Sequence, residues 1–125
     1  MRVLLVLVGL LLSVMSARAE RAIPSGKPLM LFSGSSTNPD CTSAGNLEVR
    51  VVQGPEHGKV SVRKTGVFPT FASSNPRSAC NLRRVPGIVA TYVSQRGYVG
   101  DDLVVIEIFS PDGRSKRMTV AIRVV

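Results

Sequence analysis

The C-terminal third of the chain reads Gly87-Ile88-Val89-Ala90-Thr91-Tyr92-Val93, then Gly97-Tyr98-Val99-Gly100-Asp101-Asp102, then Leu103-Val104-Val105-Ile106-Glu107-Ile108-Phe109. It continues with Pro111-Asp112-Gly113-Arg114 and ends on Met118-Thr119-Val120-Ala121-Ile122-Arg123-Val124-Val125. Three runs rich in β-branched residues alternate with two clusters of Gly, Pro and Asp. Branched side chains pack well on a pleated surface, and the intervening residues supply turn conformations. The order is strand, turn, strand, turn, strand, with strands expected near Ile88–Val93, Leu103–Phe109 and Met118–Val125.

Upstream, Leu29-Met30-Leu31-Phe32 reads as a short first strand, and the Ser/Thr/Asn/Pro-rich stretch from Ser33 to Gly45 as loop. Leu47, Val49 and Val51 alternate with charged residues, the period of a half-buried antiparallel strand. Gly54-Pro55-Glu56-His57-Gly58 is a turn. Val60, Val62 and Lys64 then share one face of the return strand. Thr65 to Pro86 is the least regular part, with Pro69, Pro76 and Pro86, and with Phe68 and Phe71 as candidate anchors. No segment has a helical period. The fold class is all-β, a sandwich of six or seven antiparallel strands with one long loop.

The chain opens with Met1-Arg2, an apolar run from Val3 to Val14, and Ala17-Arg18-Ala19 before Glu20. A basic start, an apolar stretch and a small-x-small site define a signal peptide over 1–19. The run is too short for a transmembrane helix, which needs about 20 apolar residues. The expected organisation is signal peptide 1–19, a flexible leader 20–28 with Pro24 and Gly26, and one domain over 29–125. Export places the protein in the periplasm or outside the cell, with no membrane span after cleavage. In such an oxidising compartment the two cysteines, Cys41 and Cys80, have one intramolecular pairing available, and it tethers the long loop. The net charge is +8, and loss of Arg2 and Arg18 with the signal takes it to +6.

Two motifs carry a family likeness, Pro55-Glu56-His57-Gly58-Lys59-Val60 and Gly97-Tyr98-Val99-Gly100-Asp101-Asp102. The chain resembles the bacterial Ig-like, cadherin-like domains found as tandem repeats in large surface proteins, here as a single exported copy. Pro55, His57, Gly58, Tyr92, Gly97, Tyr98, Gly100 and Asp102 stand at matching positions, over roughly residues 46–125. Ser94 stands where the family pattern has Pro, Val104 and Ile106 where it has aromatics, and residues 65–86 replace a tight turn. The resemblance implies an Ig-like β-sandwich with Pro55, His57, Gly58, Gly97, Gly100 and Asp102 as structural turn residues. It implies no activity, because function lives in sites rather than folds.

If successive strands reverse, Cys41 and Cys80 reach the same end only when the insert adds an even number of crossing strands. A bridge holds its Cα atoms about 5.5 Å apart, which argues against a single crossing strand at Val67–Ala72. The same end would carry Arg77, Arg83, Arg84, Arg114, Lys116 and Arg117, a candidate contact surface for an anionic partner. Nucleic acid is not expected, since two Tyr and four Phe offer no aromatics interleaved with the arginines. His57 is the only histidine and sits in a turn, both cysteines are expected to be oxidised, and nothing spaces Asp40, Asp101, Asp102 and Asp112 as a calcium loop. No catalytic residue, metal or cofactor is expected.

The leading reading is a non-catalytic exported binding module whose basic, disulfide-pinned loop end contacts an anionic glycan, envelope component or protein. Two alternatives stand beside it. One is a structural cell-envelope protein assembling through a sheet edge, with Ile122–Val125 as the candidate edge. The other is a secreted enzyme inhibitor using the 65–86 loop.

Overall fold

A computed structural model describes residues 20–125; the expected signal peptide over 1–19 lies outside the described residues. The strands are β1 (Glu20–Ile23), β2 (Leu29–Gly34), β3 (Ser36–Thr37), β4 (Ser43–Gly45), β5 (Glu48–Gln53), β6 (Gly58–Val67), β7 (Val85–Ser94), β8 (Gly100–Phe109) and β9 (Ser115–Val124). A 3₁₀ helix spans Pro76–Leu82. A four-stranded sheet, β1-β9-β8-β5, faces a three-stranded sheet, β2-β7-β6, and β3 and β4 form a small ladder apart. The protein is an all-β sandwich of seven main strands.

The period of two visible in the sequence is what closes the core. Along β8, Asp102, Val104, Ile106 and Ile108 point inward while Leu103, Val105 and Glu107 alternate outward. Val120, Ile122 and Val124 do the same along β9, and Leu31, Ala90 and Tyr92 meet them from the other sheet. Burial of each aliphatic side chain contributes about 1.5–3 kcal/mol, so this double row accounts for most of the driving force.

Within residues 20–28, expected as a flexible leader, Glu20–Ile23 form a strand. β1 runs parallel to β9, from Glu20↔Ala121 to Ile23↔Val124. Arg21 Nη1 donates to the carbonyls of Met30 (3.0 Å) and Leu31 (3.2 Å), tying this edge to the opposite sheet. Beyond it, Ser25 N–H donates to Val125 O and Gly26 N–H to Ser94 Oγ. Four residues are too few to show a period, and the partner that orders them lies about a hundred positions away. Two expectations change with it. The sandwich is antiparallel except at this edge, and β9 is an interior strand, so Ile122–Val125 offers no free edge.

The 65–86 insert is shorter than it reads. β6 and β7 pair continuously from Gly58↔Ser94 to Val67↔Val85, so the hairpin absorbs both ends of it. No strand crosses between them, as the cysteine constraint requires. The remaining loop is fastened by the Asn81 side chain, which accepts from Phe71 N–H (2.9 Å) and donates to Phe71 O (2.8 Å). Asn75 caps the 3₁₀ helix by accepting from Arg77 N–H. The Cys41–Cys80 disulfide is formed, with Cα atoms 5.4 Å apart.

Candidate functional site

The turn residues of the two motifs and the basic residues occupy opposite ends of the sandwich. At the first end the two motifs meet on one carboxylate. Asp102 accepts from Glu56 N–H (2.9 Å), His57 N–H (3.1 Å), Leu103 N–H (2.9 Å) and the buried Tyr92 hydroxyl (2.8 Å). Burial alone would raise its pKa. The hydrogen bonds from Tyr92 and from the three backbone N–H groups outweigh that, and the net shift is downward. The same burial, with the Asp102 charge, pushes the Tyr92 hydroxyl well above its ordinary value.

The other motif residues fit around this pin. His57 stacks on Tyr98 with ring centroids 4.0 Å apart. A Cβ on Gly58 would lie 2.6 Å from both a Tyr92 ring carbon and Val93 O, so only glycine lets Tyr92 reach Asp102. Gly100 has φ +143°, and a Cβ there would lie 2.8 Å from the Tyr98 hydroxyl. Gly97 also has positive φ, at the turn before β8. Pro55 is half-buried in the β5–β6 turn. Four donors from three parts of the chain converge on Asp102, and the cluster ties the β5–β6 turn to β7 and β8 as a clasp. Among the described residues, no group of three or more His, Cys, Asp or Glu gathers as a metal site.

The six basic residues expected at the disulfide end separate into four placements. Arg77 is turned inward, its Nε donating to Thr37 O (2.8 Å), and it holds the 3₁₀ helix to β3. Arg117 projects from the outer face of the four-stranded sheet, across from Glu107 at 3.4 Å. Arg83 is exposed, and its backbone N–H closes the helix onto Cys80 O. The remaining three border two cavities. One, of about 370 Å³, takes Arg84 together with Lys64. The other, of about 410 Å³, takes Arg114 and Lys116. Both are lined by Ser35 and Leu47, so they adjoin.

Two local contacts set the positions of these cations. The Arg84 guanidinium lies 5.9 Å from the centre of the Phe68 ring, which orients it beside the loop. Arg114 Nε stands 3.3 Å from Asp112 Oδ2, but both side chains are exposed and the pair is weak. Lys64 is the residue that sequence reasoning did not assign to the site. Its place on the Val60–Val62 side of β6 follows from alternation, although it is exposed, and its nearness to Arg84 needs the β6–β7 register.

Comparison with protein-family models, with curated proteins and with solved structures finds no match to this chain. The likeness to Ig-like, cadherin-like repeats therefore rests on its motifs. Among the described residues, no helix is long and apolar enough to cross a membrane.

Proposed function

We propose that this protein is an exported, non-catalytic binding module of Ig-like type, and that its basic disulfide end binds an anionic partner. The observation that carries the reading is the set of four cations, Lys64, Arg84, Arg114 and Lys116, around two adjoining cavities that share Ser35 and Leu47. Two carboxylates stand near them: exposed Asp112 beside Arg114, and Glu48, which lines a groove together with Lys64. A carboxylate, sulfate or phosphate group entering there gains charge-assisted hydrogen bonds from more than one side chain. Export is supported by the signal-like residues 1–19 and by a disulfide, which persists in oxidising compartments. Cleavage before Glu20 leaves all four residues of β1 in the mature chain.

The test is retention on a dextran sulfate resin as a function of salt. The doubly substituted Arg84→Glu, Lys116→Glu protein should elute at clearly lower salt than an Arg96→Glu, Lys27→Glu control of equal net charge. Arg96 and Lys27 are exposed in turns at the opposite end of the sandwich. Co-elution of the two variants would reduce the basic end to net charge alone and end the proposal.

A further inference from the structure

The two sheets do not close along the side where β5 meets β6. Each of these strands ends its sheet, and they are not hydrogen-bonded to each other. Directly opposed residues in a ladder share a face. Val51 is opposite Ile106, and Val62 opposite Ala90, both partners being fully buried core residues. Val51 and Val62 thus sit on core-facing positions, yet they are 41% and 40% exposed. Between the strands lies a groove of about 360 Å³ lined by the apolar Leu47, Val49, Val62 and Ile88 and by the charged Glu48, Arg50 and Lys64, two cations to one carboxylate. Leu47 and Lys64 also line the cavity that holds Arg84, so the groove runs into the basic end.

We infer that this groove takes an extended, acidic segment of a partner polypeptide as an added strand on β6. The inference rests on the anionic-partner reading for its charged end and names the partner's class. β6 is the better template of the two edges. It pairs with β7 through ten successive residues without a break, whereas the ladder of β5 shifts register between Val51 and Gln53. An added strand gains main-chain hydrogen bonds from the unpaired edge and specificity from alternate side chains.

Charge selects the occupant. Lys59, Arg63 and Lys64 lie on β6, with Arg84 beside Lys64. A second copy of this chain would bring its own Lys59, Arg63 and Lys64 to the same edge, and like charges opposed in a ladder are destabilising. A strand with carboxylates opposite these cations and apolar residues opposite Val60 and Val62 meets no such cost. Read antiparallel to β6, from Lys64 back to Lys59, the complement is Glu-Glu-Val-Thr-Val-Glu.

The experiment uses that hexapeptide, acetylated, amidated and fluorescently labelled, against the full mature protein. Binding is read by anisotropy and by amide hydrogen exchange. The expected result is saturable binding that slows exchange in β6, falls about tenfold in Lys64→Glu, and is lost when alternate peptide nitrogens are methylated. The same residues in reversed order should bind more weakly. Equal binding of the methylated or reversed peptide would show simple attraction of a polyanion and overturn the added strand, as would absence of β6 protection. Those results leave the dextran sulfate experiment standing as the separate test of the basic end. Unchanged near-native thermal unfolding of Lys64→Glu, at an exposed position, separates lost binding from lost fold.

Discussion

Asp102 joins four donors from three separated parts of the chain, and its energetic weight follows from where they lie. Replacing it with Ala leaves the buried Tyr92 hydroxyl and the Glu56 and His57 N–H groups without their acceptor. Unsatisfied buried donors cost about 1–3 kcal/mol each, so Asp102→Ala should lower stability by at least about 2 kcal/mol in urea titrations. The pH dependence has a definite sign. The folded pKa of Asp102 is depressed, so its contribution is complete above the unfolded value of about 3.9 and is lost as pH falls through the folded value. Tyr92 is raised, so its contribution is complete below about 10 and is lost in more alkaline solution. Urea midpoints measured from pH 2 to 5 should fall less steeply in Asp102→Asn than in the parent. An identical acid slope would mean that other carboxylates dominate.

At the scale of elements, β1 is the short piece with the largest structural consequence. It converts β9 from an edge into an interior strand, and its Arg21 guanidinium ties the edge to β2. Removing residues 20–23 uncovers the backbone of β9, and an exposed flat edge is a template for pairing with another chain. A mature protein lacking those residues should be less stable and should self-associate with rising concentration in sedimentation velocity. A variant that stays monomeric and unfolds at the parental midpoint would show that β1 merely lies alongside. Arg21→Ala isolates the tie from the strand, with an expected loss of about 1 kcal/mol. The contrast with β6 is instructive. That edge stays open, but Lys59, Arg63 and Lys64 guard it against copies of itself.

For the whole molecule the disulfide links the β3–β4 region to the β6–β7 loop across a sequence separation of 39. Loop-closure entropy assigns such a bridge about 4 kcal/mol by restricting the unfolded chain. The core residues gathered from both sheets do not depend on it. Cys41→Ser, Cys80→Ser should therefore still fold, with unfolding free energy lower by about 2–4 kcal/mol. Its loss should be felt most at the basic end, where salt-dependent retention on dextran sulfate should weaken. A variant that does not fold at all would make the bridge a condition of the fold.

Local pattern determined the main strands β2 and β5 to β9, because alternation of β-branched and polar residues specifies a half-buried ladder wherever it is placed. The short β3–β4 ladder, by contrast, lies in the Ser33–Gly45 stretch that reads as loop. Local pattern also carried the turn motifs, and the cysteine count allowed a single bridge. Phe68, expected as an anchor of the loop, is instead 57% exposed. The parallel docking of Glu20–Ile23, and the separation of Arg77 and Arg117 from Arg84, Arg114 and Lys116, had no local signature. Each depends on a partner distant in sequence: Arg77 on Thr37 O, Arg117 on Glu107, β1 on β9. A charged side chain reads alike whether it faces solvent, a carbonyl or a cavity. Only the register of packed strands decided which cations line the adjoining cavities and which edge was left open.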